Sequence, residues 1–511
     1  MALHAVAHLD QLDERHATRV KAGEQDVVLL RVGDNVRAFQ ADCPHAGAPL
    51  DEGAVCEHRL ICPWHKAAFA VDDGEVCEPP ALSRLTRYPA HVQKGEVWVD
   101  DQPQPAPVPT PREPARSLVI VGGGAAGAAA VARLDSKGFA GRLVWVDAQE
   151  SPSYDRTALS KFVIAGDMPA EQTPALLDEQ TQASPNLLHL HATVNHIDAK
   201  AKAITLADGQ QLAYDGALVA TGGIAQRPDI PGALLPGTHV LRSRDHAAQL
   251  LDAARQARRV VIIGSSFIAL EAASALCQLG VQVHVVSRHA VPMAKVLGDE
   301  IGRALRDLHQ QHGVVFHAPT EPVAVEGDTH VQTVLLANGE RLATDLVLFG
   351  TGVKPATDLL KGLPLAQDQS LLVDTHLSAA EGLWAAGDMV TFPFNGQAVR
   401  IEHWRVAQQQ AWVAVDNLLG DAQVYADVPF FWTYHHNKTL EVLGHASDWD
   451  HTTLEGDLPR FQFIAMHCRA DQVLAVVACG YSRAMAALAQ RMKQPLGREQ
   501  AQALIHSWDI A

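Results

Sequence analysis

Two short stretches near the N-terminus hold side chains with metal-ligand chemistry: Cys43-Pro44-His45 and, sixteen residues further on, Cys62-Pro63-Trp64-His65. Two Cys and two His can hold a tetrahedral zinc, or a [2Fe–2S] cluster with thiolates on one iron and imidazoles on the other. Each stretch supplies one Cys and one His, in C-x-H and C-x-x-H order. A zinc finger normally pairs Cys with Cys and His with His, so the mixed order favours the cluster, with Cys43, His45, Cys62 and His65 as ligands. Cys56 and Cys77 fall outside this pattern and read as buried free thiols.

A second group of residues is suited to dinucleotides. Residues 118–121 are an apolar run that reads as a buried parallel strand, followed at once by Gly122-Gly123-Gly124-Ala125-Ala126-Gly127 and an Ala-rich helix. In this G-x-G-x-x-G spacing Gly122 permits the tight turn, Gly124 lets the backbone approach a pyrophosphate, and Gly127 lets helix pack on strand, with Ala126 in the same turn. The helix N-terminus offers free N–H groups to the phosphates. The next strand, residues 143–146, ends at Asp147, a candidate for the adenosine ribose.

The pattern recurs further on. Residues 260–263 run into Gly264-Ser265-Ser266-Phe267-Ile268-Ala269-Leu270-Glu271, which departs from G-x-G-x-x-G at Ser266 and Ala269. Both are small, and Ser266 adds a hydroxyl donor. Gly264, Ser266, Phe267 and Ile268 are the expected nucleotide contacts. The strand at 281–286 ends in Ser287-Arg288-His289, where an NAD site would place an acid. Ser287 and Arg288, with Lys295 nearby, suit a 2′-phosphate instead, so NADPH, alone or with NADH, is the expected donor. Gly350 and Gly352 close this region.

These residues need several domains to position them. The chain has 511 residues, enough for about three or four domains. It is 47% hydrophobic and 19% charged, so large cores are available. The net charge of −17 argues against nucleic acid as a partner and favours a basic protein. No signal peptide or membrane-spanning apolar run is evident, and seven thinly spread cysteines fit a reducing cytoplasm. Residues 1–100 read as a small all-β module, with a hairpin around Gly33-Asp34-Asn35. Residues 101–116, DQPQPAPVPTPREPAR, read as a semi-rigid polyproline spacer. Such a spacer suits a module that must stay near the nucleotide hub yet present its cluster outward, with few contacts needing to cross. The two nucleotide regions are assigned to residues 117–240 with 353–425, and to the insert 241–352. Residues 426–511 form the last domain.

The cluster stretches, with the neighbouring AGAPL and KAAF, resemble the Rieske family. Its respiratory members carry a disulfide between the two loops. Ala48 and Trp64 stand at those positions, so the module resembles the ferredoxin type. Tyr154-Asp155-Arg156-Thr157-Ala158-Leu159-Ser160-Lys161 resembles the YDRxxLSK signature of FAD-dependent ferredoxin reductases and apoptosis-inducing-factor-like proteins. That resemblance places Arg156 at the pyrophosphate and Lys161 beside the flavin N5, facing Glu271. It implies FAD contacts from Val194, from Ala220-Thr221-Gly222, from Asp388 on the ribityl chain, and from His403 and Trp404. The family's usual ribose acid falls on Gln149, so Asp147 and Gln149 both remain candidates. Val428-Pro429-Phe430-Phe431-Trp432-Thr433 resembles the start of the reductase C-terminal domain, whose Trp, here Trp432, approaches the flavin. His435 and His436 read as surface histidines.

The resemblance implies a multi-domain protein: an N-terminal all-β Rieske domain, two Rossmann-like α/β domains for FAD and NAD(P), and a C-terminal α+β reductase domain. It implies hydride transfer from nicotinamide to FAD and single electrons to the Rieske cluster. From there they pass to an external acceptor such as an oxygenase or a cytochrome P450. Lys161, Glu271 and Trp432 are the expected catalytic residues. No C-x-x-C stands beside the flavin motifs, which argues against a disulfide reductase. A slowly turning redox-sensing flavoprotein is the alternative. A monomer or homodimer is expected.

Overall fold

The computed structural model describes residues 2–508. In the N-terminal module, Gln25–Val32 pairs antiparallel with Asn35–Gln40 around the expected turn. Val28 and Leu30 enter one core while Val27 and Leu29 enter another, the period-two alternation of a strand covered on both faces. A second four-stranded sheet, from Ala54–Cys56 to Val76–Glu78, carries the second ligand loop between Arg59–Ile61 and Ala68–Ala70.

The first nucleotide domain is built on Ser117–Val121. This strand lies parallel between Arg142–Asp147 and Gly216–Val219 in a six-stranded sheet. The helix Ala125–Ser136 follows it directly. The second domain repeats the plan, with Arg259–Ile263 between Gln282–Val286 and Leu346–Phe349, and the helix Phe267–Gln278 behind it. Gly223–Ala225 pairs antiparallel with Val353–Pro355 where the chain leaves for the second domain and returns. Residues with high β propensity and both faces buried make these parallel strands nearly continuous hydrophobic runs.

The last domain is a five-stranded antiparallel sheet backed by Ser482–Arg491 and Arg498–Trp508. Its edge strand, His451–Asp457, has no apolar alternation and was not legible in the sequence.

The spacer is exposed, but the module it carries is not loosely held, which corrects the expectation of few crossing contacts. Ala54, Ile61 and Ala68 share one core with Val428, Phe430 and Met485. Arg405, 1% exposed, donates to Glu78 Oε2 at 2.5 Å, to the Pro79 carbonyl at 2.8 Å and to the Lys66 carbonyl at 3.1 Å. Buried Lys66 pairs with Glu441 at 2.5 Å. Proline content describes the spacer's own backbone and says nothing of the surfaces it joins.

Candidate functional site

A cavity of about 930 Å³ runs between the two nucleotide domains and the first strand of the C-terminal sheet. The glycine turn forms one wall. Gly122 has φ +115°, and a Cβ there would lie 2.3 Å from the Ala220 carbonyl oxygen. A Cβ on Gly127 would lie 1.8 Å from the Gly122 oxygen, so its role is close packing of helix on strand. Gly124 faces open space, as an approaching phosphate requires. Gly123 has a function the motif does not describe: the Asp147 carboxylate occupies the place of its Cβ.

Asp147 accepts from the Gln149 backbone N–H at 3.2 Å with Oδ1, while its Oδ2 is buried without a partner. Gln149 accepts from Arg156 at 3.3 Å. Asp147, Gln149 and Arg156 all line the cavity, as do Ala126 and Val194. Ala220, Thr221, Gly222, Asp388, His403 and Trp404 line it too, Trp404 with a buried, unpartnered indole N–H. An orphaned carboxylate oxygen, an orphaned indole donor and an open glycine turn fit a flavin dinucleotide. Arg242, absent from the sequence reading, donates to Asp388 at 2.8 Å; a single Arg in a loop carries no sequence signal. Phe431, stacked on His403 at 4.0 Å, was also missed.

On the second nucleotide turn Ser266, Phe267, Ile268, Gly350 and Gly352 face the cavity. Ser266 caps its helix by accepting from the Ala269 N–H at 3.4 Å. Gly264, half-buried in the turn, has φ +109° and no room for a Cβ beside Gly350. Ser287 and Arg288 lie off the cavity wall. The Ser287 hydroxyl is shared with Ser265 at 2.8 Å, and Arg288 pairs with Glu321 at 2.6 Å. The cation expected to hold a 2′-phosphate thus stands at the surface, off the cavity wall, paired with a carboxylate.

Lys161 sits on a π-turn, Leu159–Val163, and reaches Glu271 Oε2 at 3.0 Å. Ser160 donates to the same oxygen at 2.5 Å, and Thr433 donates to Oε1 at 2.7 Å. Burial opposes ionisation of Glu271, but the Lys161 charge and the Ser160 and Thr433 hydrogen bonds outweigh it and hold the carboxyl below its ordinary range. Both Lys161 and Glu271 line the cavity, beside Trp432.

The four cluster residues come together as two pairs. His45 Nδ1 and His65 Nδ1 lie 3.1 Å apart, near the separation two imidazoles take when each is ~2.1 Å from one metal ion. The thiols of Cys43 and Cys62 are within hydrogen-bond reach of each other. Burial opposes ionisation of Cys62, yet Cys43 and the backbone N–H groups of His65 and Trp64 bring it down to about 7. Among the described residues no three His, Cys, Asp or Glu side chains converge on one point. Two thiols and two imidazoles held as separate pairs fit a binuclear iron–sulfur cluster.

The histidine end of this module faces inward, not outward as expected. His65 packs on Trp432 with ring centroids 3.9 Å apart, and His45 Nε2 lies 3.7 Å from Asp155, next to Arg156. Trp64, 44% exposed, is the outward residue of the loop. His435 and His436 are also not at the surface; they are 0% and 7% exposed, covered by the helix Asp299–Gln311.

Three family models match: pyridine nucleotide-disulphide oxidoreductase over residues 116–411, the Rieske [2Fe-2S] domain over 2–89, and the reductase C-terminal domain over 430–506. The chain is 28% identical over 506 residues to apoptosis-inducing factor 3 of Homo sapiens, covering 95% of this chain and 83% of that protein. It is 30% identical over 353 residues to the biphenyl dioxygenase system ferredoxin--NAD(+) reductase component of Paraburkholderia xenovorans (strain LB400), covering 68% of this chain and 86% of that one. Among solved structures, the ferredoxin reductase for the CYP199A2 system from Rhodopseudomonas palustris aligns with a TM-score of 0.71 at 27% identity, over 76% of this chain and 97% of that one. No helix among the described residues is long and apolar enough to cross a membrane.

Proposed function

The chain belongs to the pyridine nucleotide-disulphide oxidoreductase family, joined to a Rieske domain and a reductase C-terminal domain, and from that premise we propose that it carries electrons from a nicotinamide nucleotide through FAD to its own Rieske cluster and on to a separate redox protein. The observation that carries this reading is Trp432. It belongs to the cavity wall and packs on the ligand His65 at 3.9 Å, so one side chain spans the distance between the two sites.

FAD, when bound, accepts two electrons together and gives them up singly. The residues do the rest. Gly122 makes the tight turn, Gly124 lets the backbone approach the pyrophosphate, Arg156 would supply a cation there, and Asp147 at the strand end would stand beside the ribose. Ser266 and the N-terminal end of its helix receive the phosphates of the second nucleotide. Phe267 and Phe431, 4.5 Å apart, line the cavity and would offer apolar faces to the two ring systems. Lys161, held by Glu271, fixes a positive charge at that place. Among the described residues no cysteine lines the cavity, so thiol exchange has no part in the chemistry.

The Arg288–Glu321 pair supports NADH as the preferred donor. The partner reading is an oxygenase or cytochrome P450 component docking where Trp64 is exposed. The test is anaerobic titration of the holoprotein with NADH while the electron paramagnetic resonance of the cluster is followed. The cluster is expected to become reduced. In Trp432→Ala its reduction should slow while NADH-driven reduction of ferricyanide continues. A flavin that is reduced while the cluster stays oxidised would refute the route and favour the redox-sensing reading.

A further inference from the structure

The Lys161–Glu271 pair does not end at the cavity. Thr433 Oγ1 donates to Glu271 Oε1 at 2.7 Å and shares a hydrogen bond with His435 Nε2 at 2.9 Å. His435 Nδ1 meets His309 Nε2 at 3.3 Å, and His309 Nδ1 meets His436 Nε2 at 3.1 Å. His436 stacks on exposed His312, with ring centroids 4.0 Å apart.

We propose that Glu271, Thr433, His435, His309 and His436 form a proton path from the cavity toward the protein surface, which it nears at His436, beside exposed His312. The path rests on the reading above, in which a hydride donor meets a one-electron acceptor. A hydride brings two electrons and one proton. The cluster takes electrons only. For each NADH oxidised and two clusters reduced, NAD+ and one proton remain, and that proton must leave the cavity.

The hydrogen bonds also fix the polarity of the path. An ionised Glu271 makes Thr433 a donor toward it, so Thr433 must accept from His435. His435 then carries its proton on Nε2 and accepts at Nδ1, and the same holds for His309 and His436 in turn. A neutral imidazole has one donor and one acceptor, so a single assignment satisfies the whole chain. Burial keeps all three rings neutral. It brings His435 and His436 down to about 4 and His309 well below its ordinary value. The groups facing them act in both directions. Glu271 favours a charged His435 and Lys161 opposes it; His309 faces His435, His436 and His312; His436 faces His312 and His435. In this resting register every hydrogen bond points toward Glu271, so export of the proton released in the cavity needs the opposite register: Glu271 protonated from the cavity and donating to Thr433, Thr433 donating to His435, and each ring donating to the next away from the cavity.

Two readouts test the path. Nitrogen NMR of ring-labelled histidine, assigned by difference with His309→Gln and His435→Gln, should show neutral Nε2–H rings at pH 7 for His309 and His435. An imidazolium or an Nδ1–H tautomer at either would overturn the assignment. The second readout is proton release to an indicator dye after the holoprotein is mixed with NADH and ferricyanide. His309→Gln keeps a donor and an acceptor but cannot relay, and should slow release by roughly 10²-fold with a larger effect in D2O. Hydride transfer itself should keep its rate, which a merely structural lesion would not allow. His435→Gln, one link nearer the cavity, should behave alike. Wild-type release rates in both variants would refute the path. A cluster that NADH never reduces would refute the electron route, leaving the NMR result to decide the path separately.

Discussion

Two buried ion pairs, of like chemistry, serve different ends. Arg405–Glu78 and Lys161–Glu271 each join an acid and a base from distant parts of the chain, at 2.5 Å and 3.0 Å. Around Glu78 the protein closes completely: Arg59, Lys493 and Gln490 also bond its carboxylate, and Arg405 spends its other donors on carbonyls of the N-terminal module. Around Glu271 the wall is incomplete on one side, where the cavity begins, and continues on the other as a line of hydrogen-bonded histidines. A closed pair holds domains together. A pair with an open side and a polar continuation can act on what enters. Burial alone does not distinguish them; the surroundings do.

The largest effect expected is on the closed pair. Removing one partner of a buried pair costs about 3–5 kcal/mol because the other charge is left behind. Arg405→Met should therefore lower the unfolding temperature, measured by calorimetry on the holoprotein: Glu78 keeps Arg59, Lys493 and Gln490 but loses its most buried cation, and the Pro79 and Lys66 carbonyls lose their donor. Deleting residues 1–116 should destabilise comparably, since it strips Arg405 and Glu441 of Glu78 and Lys66. A truncated flavoprotein as stable as the full chain would show that the interface contributes little.

Acid should expose the same pair. Burial opposes ionisation of Glu78, but Arg405 and Lys493 outweigh it and hold the carboxyl at about 2 rather than 4.5. A depressed acid stabilises the fold above pH 4.5, and that contribution is lost as pH falls from 4.5 toward 2. The shift corresponds to on the order of 3 kcal/mol. Denaturant titrations between pH 6 and pH 3 should show the loss beginning in wild type and a shallower slope in Arg405→Met. Equal slopes would mean other carboxylates govern the acid limb.

The open pair should answer in rate more than in stability. Glu271→Gln removes a charge-assisted bond worth about 1.5–3 kcal/mol, so flavin reduction by NADH should slow roughly 10- to 100-fold in stopped-flow measurements. Unfolding should shift less than for Arg405→Met, because Lys161 borders the cavity. A stability loss equal to that of Arg405→Met, with the rate unchanged, would abolish the distinction drawn between the pairs.

What the sequence made legible was local. The glycine turn, the C-x-H and C-x-x-H loops and the Tyr154-to-Lys161 motif each state their chemistry within a few residues, and the structure brings them to one cavity and one paired-ligand loop set. What it hid was pairing across distance. Arg405 and Glu78 lie 327 residues apart and neither stands in a motif. His435 ends an apolar strand and His436 follows it, so both look exposed, yet a helix of the nucleotide insert covers them. Gln410 sits in a polar run, Gln408-Gln409-Gln410, that periodicity would turn to solvent; it is fully buried and accepts from the Gly387 N–H at 2.8 Å.

A third pair completes the comparison at its weak end. Arg288 and Glu321 are 2.6 Å apart, but their side chains are 76% and 46% exposed. Solvent screening limits such a pair to about 0–1 kcal/mol, so Glu321→Gln should leave the unfolding temperature nearly unchanged. Its effect should appear in nucleotide choice. With the carboxylate gone, Arg288 is free for a 2′-phosphate, and the negative charge that would repel that phosphate is removed as well. A charge-assisted bond of about 1.5–3 kcal/mol would raise kcat/KM for NADPH relative to NADH by roughly 10- to 100-fold. Adding Arg288→Ala to Glu321→Gln should cancel the gain, because the phosphate would then have lost its only new partner. The measurement is the ratio of kcat/KM for the two nucleotides in wild type, the single variant and the double variant. A ratio that stays constant across all three would place Arg288 outside the nucleotide site.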